Sequence, residues 1–287
     1  MRSLLRTGLL LLPLLAAGCD HIEYHPYDTD ISGEQDINAK NIARIEAACR
    51  GRQTVRFAMI SDTQRWYDET EKAVEALNAR DDIDFVLHGG DLSDFGLKKE
   101  FMWQRDILNR LRVPYVCLLG NHDCQGTGEA VFEKIFGPSD FAFTAADVRF
   151  VCLNTNAMEY DYSHPVPDFD FLEHEYGSFA PPARRTIFAM HVRPYDFQFN
   201  NNVANVFNYY LENYPGMQAD ATRTDADGNE KPWASQSFCV NGHNHRVNIV
   251  DKFDNGILYY QCADIHKRNY LLFTITETGY LYETIDF

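Results

Sequence analysis

Ile83-Asp84-Phe85-Val86-Leu87-His88-Gly89-Gly90-Asp91-Leu92-Ser93-Asp94 is a short apolar run that stops on two glycines and then on acid. The run 83–87 is too short for a helix, so it reads as a buried strand. The same pattern recurs on both sides of it. Upstream, the apolar run 55–60 ends in Ser61-Asp62-Thr63-Gln64; downstream, the run 116–119 ends in Gly120-Asn121-His122-Asp123. Helical patterns over 71–79 and 98–111 separate the three runs. Asp62, Asp91 and Asn121 therefore fall about 30 residues apart, the length of one strand–helix–strand unit. This is a βαβαβ order, which implies parallel strands joined by right-handed crossovers. In such sheets ligands bind at the carboxyl ends of the strands, so all three polar clusters should meet at one edge.

Further along the chain, a short helix is expected at 130–136 and a hairpin at 141–144 with 148–153. Apolar runs at 187–190, 238–240, 246–250, 257–262, 270–275 and 281–285 read as strands, with turns at Asp254-Asn255-Gly256 and Thr278-Gly279. The C-terminal half is thus expected to be strand-rich and largely antiparallel. The stretches 156–180 and 194–235 are the least regular, apart from a helix at 203–214. Toward the N-terminus, Ser32 is a good helix cap ahead of Glu34 and Asp36, and the helix it opens should end near Gly51.

The first 19 residues carry Arg2 and Arg6, then a short apolar stretch, then Leu15-Ala16-Ala17-Gly18-Cys19. The apolar stretch is short for a membrane span, and small residues precede the cysteine as at a signal-peptide cleavage site. This ending resembles a bacterial lipobox, which implies lipidation of Cys19 and an exported protein anchored to the cell membrane. The expected division is a lipoprotein signal peptide at 1–19, a tether and helix at 20–53, and a single domain at 54–287. Of the other cysteines, Cys117, Cys152, Cys239 and Cys262 lie in apolar runs and read as free buried thiols. The formal net charge of −16, from 42 acids against 26 bases, argues against a nucleic-acid partner, which needs Lys and Arg along the phosphates. A small phosphorylated substrate remains compatible, because bound cations reverse the local field.

Hard divalent cations take carboxylate and amide oxygens, and borderline ones add imidazole. Asp62, Asp91, Asn121, His191, His243 and His245 make a suitable set for two such ions. His191 follows the run 187–190, again at a strand end. His243 and His245 sit two apart, so an extended segment would point both to one side.

With Asp62-Thr63-Gln64, Gly90-Asp91-Leu92-Ser93-Asp94, Gly120-Asn121-His122-Asp123, His191 and Gly242-His243-Asn244-His245 in this order, the chain resembles the calcineurin-like metallophosphoesterases over roughly 54–287. The resemblance implies an α/β fold of four α/β/β/α layers, a two-sheet β-sandwich of mixed strands flanked by helices. It implies hydrolysis of phosphomonoesters or phosphodiesters by in-line attack of a metal-bound hydroxide, with two divalent ions (Mn, Fe, Zn or Mg) as cofactors. Asp91 would bridge the ions, Asp62 and His245 would bind the first, and Asn121, His191 and His243 the second. His122 would protonate the leaving oxygen or stabilise the transition state, with Asp94 orienting its imidazole. Gln64 stands where the family pattern has histidine, and is expected to ligate the first ion more weakly through a neutral oxygen. Arg65 and Arg193 offer bidentate grips for a substrate phosphate. A competing expectation, resting on Gln64 alone, is a catalytically weakened lipoprotein that binds a phosphorylated or glycan ligand.

Overall fold

The computed structural model describes residues 25, 27–157, 165–178, 185–214, 223–224, 230–231 and 237–287. Cys19 and the signal peptide expected at 1–19 lie outside them, and no helix among the described residues is long and apolar enough to cross a membrane. The chain runs α1 (Ile37–Cys49), β1 (Val55–Ile60), α2 (Tyr67–Asn78), β2 (Phe85–His88), α3 (Lys98–Leu108), β3 (Tyr115–Cys117) and α4 (Gly128–Ile135). Then come β4 (Phe141–Ala145), β5 (Val148–Leu153), α5 (Phe169–Ser178), β6 (Arg185–Met190), α6 (Ala204–Asn213) and a small ribbon of β7 (Arg223–Thr224) and β8 (Glu230–Lys231). The last five strands are β9 (Phe238–Asn241), β10 (Asn248–Asp251), β11 (Leu258–Gln261), β12 (Asn269–Ile275) and β13 (Tyr280–Asp286).

β1, β2 and β3 are parallel, as the opening repeat predicts, and β12 and β13 extend the sheet beyond β1 in antiparallel sense. The order is β13-β12-β1-β2-β3. The second sheet runs β10-β11-β9-β6-β5-β4, and here the expectation of largely antiparallel pairing fails. β5, β6, β9 and β11 are parallel neighbours, and only β4 and β10 pair antiparallel at the two edges. Strands buried on both faces read as unbroken apolar runs whichever way they point.

Alternation along each strand builds the layers. Phe57, Met59, Phe85 and Leu87 point between the sheets with Phe150, Ala189 and Val240, while Ala58, Ile60 and Val86 point outward under α2 and α3. Phe188, Cys239 and Tyr259 face the other way with Phe207 and Leu211 of α6. The result is the four-layer α/β/β/α sandwich.

One N-terminal expectation is corrected. Ser32 caps no helix: its carbonyl accepts from Arg105 at 2.6 Å, and α1 begins only after Asp36, which has left-handed φ 55°. Within the expected tether and helix segment 20–53, Asp28 pairs with Lys98 and Thr29 accepts from Lys134. α1 lies against the edge strand β3, where Asn38 Nδ2 donates to the Cys117 carbonyl and Asn38 Oδ1 accepts from the Cys117 N–H, both at 2.9 Å. The described cysteines are free, and all but Cys124 are buried.

Candidate metal centre

Asp62, Asp91 and Asn121 follow β1, β2 and β3, while His191 follows β6 and the 243–245 loop follows β9. The centre therefore forms where the carboxyl ends of parallel strands from both sheets meet. Backbone bonds lock the loops together: Asp62 N–H donates to Gly90, Gln64 N–H to Asp91, and Gly242 N–H to His191. Two glycines permit the close approach. A Cβ on Gly120 would overlap Asp91, and one on Gly242 would overlap Ser61 and crowd Asp62.

Six of the seven ligand candidates present donor atoms to one another here, and Gln64 reaches the same place. Asn121 Oδ1 lies 2.9 Å from His191 Nε2 and 3.0 Å from His243 Nδ1. His191 Nε2 is 3.4 Å from Asp91 Oδ2. On the other side, ligand atoms of Asp62, Asp91 and His245 lie within 4.8 Å of one another, with Asp62 Oδ1 3.2 Å from His245 Nε2. Asp91 thus stands between two groups of donor atoms.

The donor set fits divalent cations. Asp62 and Asp91 are buried, and the two Asp62 oxygens face the His245 Nε2 and the His243 backbone N–H. His191 Nδ1–H donates to the Gly89 carbonyl at 2.7 Å, which turns Nε2 toward the Asp91 and Asn121 oxygens. Burial pulls the His191 imidazole down, but Asp91 and Asp62 outweigh it and raise it to about 9. A field that holds a proton this firmly also suits a cation at the same place.

Gln64 reaches Asp91 by a different atom than expected. Its Nε2 donates to Asp91 Oδ2 at 3.3 Å, so the amide braces that carboxylate. His122 sits beside the centre with its backbone N–H on Asp91 Oδ1 at 2.9 Å. Asp94 orients it through the wrong group: His122 Nδ1–H donates to the Asp94 backbone carbonyl at 2.8 Å, while the Asp94 carboxylate lies 4.0 Å off and binds Arg65 at 2.6 Å. The Arg65 side chain is 61% exposed and keeps donors free at the rim. Arg193 is 3% exposed, and its Nε donates to Asp196 at 2.8 Å, which makes it a scaffold cation instead of an open phosphate grip.

The reading of the residues passed over three neighbours. Asp123, last in Gly120-Asn121-His122-Asp123, is buried and accepts from the backbone of Leu92, Ser93 and Gly120 and from the Ser93 hydroxyl, which ties the second loop to the third. Burial and Asp91 push its carboxyl up against the pull of these donors. Asp264 faces His245 Nδ1 at 3.8 Å. Asn244, between the two histidines, is bonded to Asp196 and Gln261. The first and last lay inside quoted motifs, so position alone could have flagged them.

Known proteins bear on this arrangement. A 3′,5′-cyclic-nucleotide phosphodiesterase of Nostoc sp. is 27% identical over 143 residues, and the chain spans about half (52%) of that relative's length and aligns over 50% of its own. Among solved structures, GAP50, the anchor in the inner membrane complex of Plasmodium, superposes with a TM-score of 0.55 at 13% identity, over 82% of this chain and 85% of that one. The purple acid phosphatase PPD1 of yellow lupin gives 0.51 at 14% identity, over 81% of this chain and 51% of that one. Both share the fold. Residues 55–274 match the calcineurin-like phosphoesterase family, and the chain belongs to it.

Proposed function

We propose that this chain hydrolyses phosphomonoesters or phosphodiesters at the cell envelope with two divalent cations held around Asp91. The observation that carries the reading is the pair of donor groups, Asp62 with His245 and Asn121 with His191 and His243, that share one buried carboxylate. When bound, such cations activate water as a nucleophile and neutralise charge on the phosphoryl oxygens. The chain's own residues do the rest. With Nδ1–H held on the Asp94 carbonyl, His122 in its imidazolium form would give the Nε2 proton to the departing oxygen and be left as the neutral imidazole. Arg65 offers its remaining donors to the phosphate. Residues 1–19 would serve as the leader and Cys19 as the lipid anchor.

The test is turnover of bis(4-nitrophenyl) phosphate and 4-nitrophenyl phosphate by chelator-stripped protein resupplied with Mn, Fe, Zn or Mg. The Nostoc relative makes the diester the first choice. Activity should return with metal, and His122→Ala should lower kcat by about 100-fold to 10,000-fold. Absence of turnover with every metal would sink the enzyme reading. Gln64 favours one second reading, a binder: a Gln64 amide that braces Asp91 leaves the first cation fewer ligands. Cation binding without turnover would favour it.

A further inference from the structure

We infer that Asn244 is a positioning residue of the metal centre, clamped between Asp196 and Gln261 so that His243 and His245 stay where two cations need them. The inference rests on reading those histidines as metal ligands. Both have left-handed backbone, φ 80° at His243 and φ 54° at His245, a region that residues with a Cβ avoid. A loop with this conformation on both sides of one residue needs that residue to be held.

Asn244 is held from two sides. Its Nδ2 donates to Gln261 Oε1 at 3.0 Å and to the Asp196 carboxylate, and its backbone N–H turns back to the Gly242 carbonyl at 3.1 Å. Gln261, at the end of β11, also accepts from Asn241 at 3.3 Å and donates to the Arg246 carbonyl at 2.8 Å, so it brackets the whole loop. Asp196 is itself fixed by Arg193 at 2.8 Å and Lys252 at 3.0 Å. Because Asp196 follows His191 by five positions, its carboxylate joins the third histidine's loop to that of the other two. The chemistry selects an amide. One nitrogen must give two protons to two acceptors, which a hydroxyl or a carboxylate cannot do.

The experiment is calorimetric titration of chelator-stripped protein with Mn²⁺, alongside thermal melting of the same metal-free samples. Asn244→Ala should weaken Mn²⁺ binding about 10-fold to 100-fold, the usual effect of losing a residue that orients ligands, while the metal-free melting temperature stays that of wild type. Asn244→Asp sets carboxylate against carboxylate and should bind worse than Asn244→Ala. Adding Asp196→Asn to Asn244→Asp restores a donor facing an acceptor across the 244–196 contact but not across the Gln261 one, and should recover part of the lost affinity. Wild-type affinity in Asn244→Ala, no recovery in the double variant, or a metal-free Asn244→Ala that melts far below wild type would each overturn the clamp. A wild-type protein that binds no Mn²⁺ would overturn the metal-centre reading itself.

Discussion

Asp62, Gln64, Asp91, His243 and His245 all have φ between 37° and 80°, in the left-handed region. Such residues cluster where a site imposes its geometry on the chain, so the backbone marks the same residues that ligand chemistry selects. The ligands were legible because each directly follows an apolar run. The role of Asp94 was not, because sequence cannot say whether a residue presents its carboxylate or its carbonyl. His88 braces the loops beside the centre: Nε2 lies 3.0 Å from Thr63 Oγ1, and Nδ1 accepts from Gly90 N–H. Burial pushes its imidazole down to about 4, against a smaller pull from Asp62. Since the folded state binds this proton less readily than the unfolded chain, whose histidines titrate near ~6.5, the stability from His88 is full above that pH and is lost as pH falls toward 4. The full shift corresponds to about 3 kcal/mol. Metal-free His88→Gln should therefore lose less stability than wild type between pH 6.5 and 4 in denaturant titrations; equal losses would refute the assignment. Arg65→Ala should raise KM about tenfold, the equivalent of ~1.4 kcal/mol, with kcat nearly unchanged; an unchanged KM would remove Arg65 from the substrate site.

The elements of the first sheet could be read because strand, helix and polar end repeat at one spacing. In the second sheet the strands could be read but their mutual direction could not, because the links from β5 to β6 and from β6 to β9 are long and irregular in sequence. The α5 signal was overlooked: Asp168 Oδ1 accepts from Phe171 N–H at 3.0 Å, as a helix cap does. α1 solves a problem of sheet architecture, since an edge strand exposes unpaired backbone groups. Asn38 satisfies both groups of Cys117, and Asn41 accommodates the Tyr115 carbonyl at 2.8 Å. Asn38→Ala leaves a buried donor and acceptor unpaired, at about 1–3 kcal/mol each. It should lower the urea unfolding free energy by ~2–6 kcal/mol. A loss below ~0.5 kcal/mol, the size of an ordinary surface change, would show that α1 does not secure the edge.

At the scale of the molecule, the sheets are joined in two ways. Between them lies an aromatic stack in which Phe57 sits 5.4 Å from Phe85, 4.9 Å from Phe273 and edge-on to Phe150 at 5.3 Å. At one end lies the centre, with Asp62, Asp91 and Asn121 from the first sheet and His191, His243 and His245 from the second. Cations bound there would tie the sheets together and stabilise the fold by mass action. Neither set of ligands makes the centre alone, so the account stands on both sheets contributing. The most direct measurement is the Mn²⁺ stoichiometry of chelator-stripped protein, read by metal analysis after equilibrium dialysis. Two ions per chain are expected in the wild type, and loss of both in Asp91→Ala, because Asp91 is shared. One ion or none in the wild type, or two retained without Asp91, would contradict this.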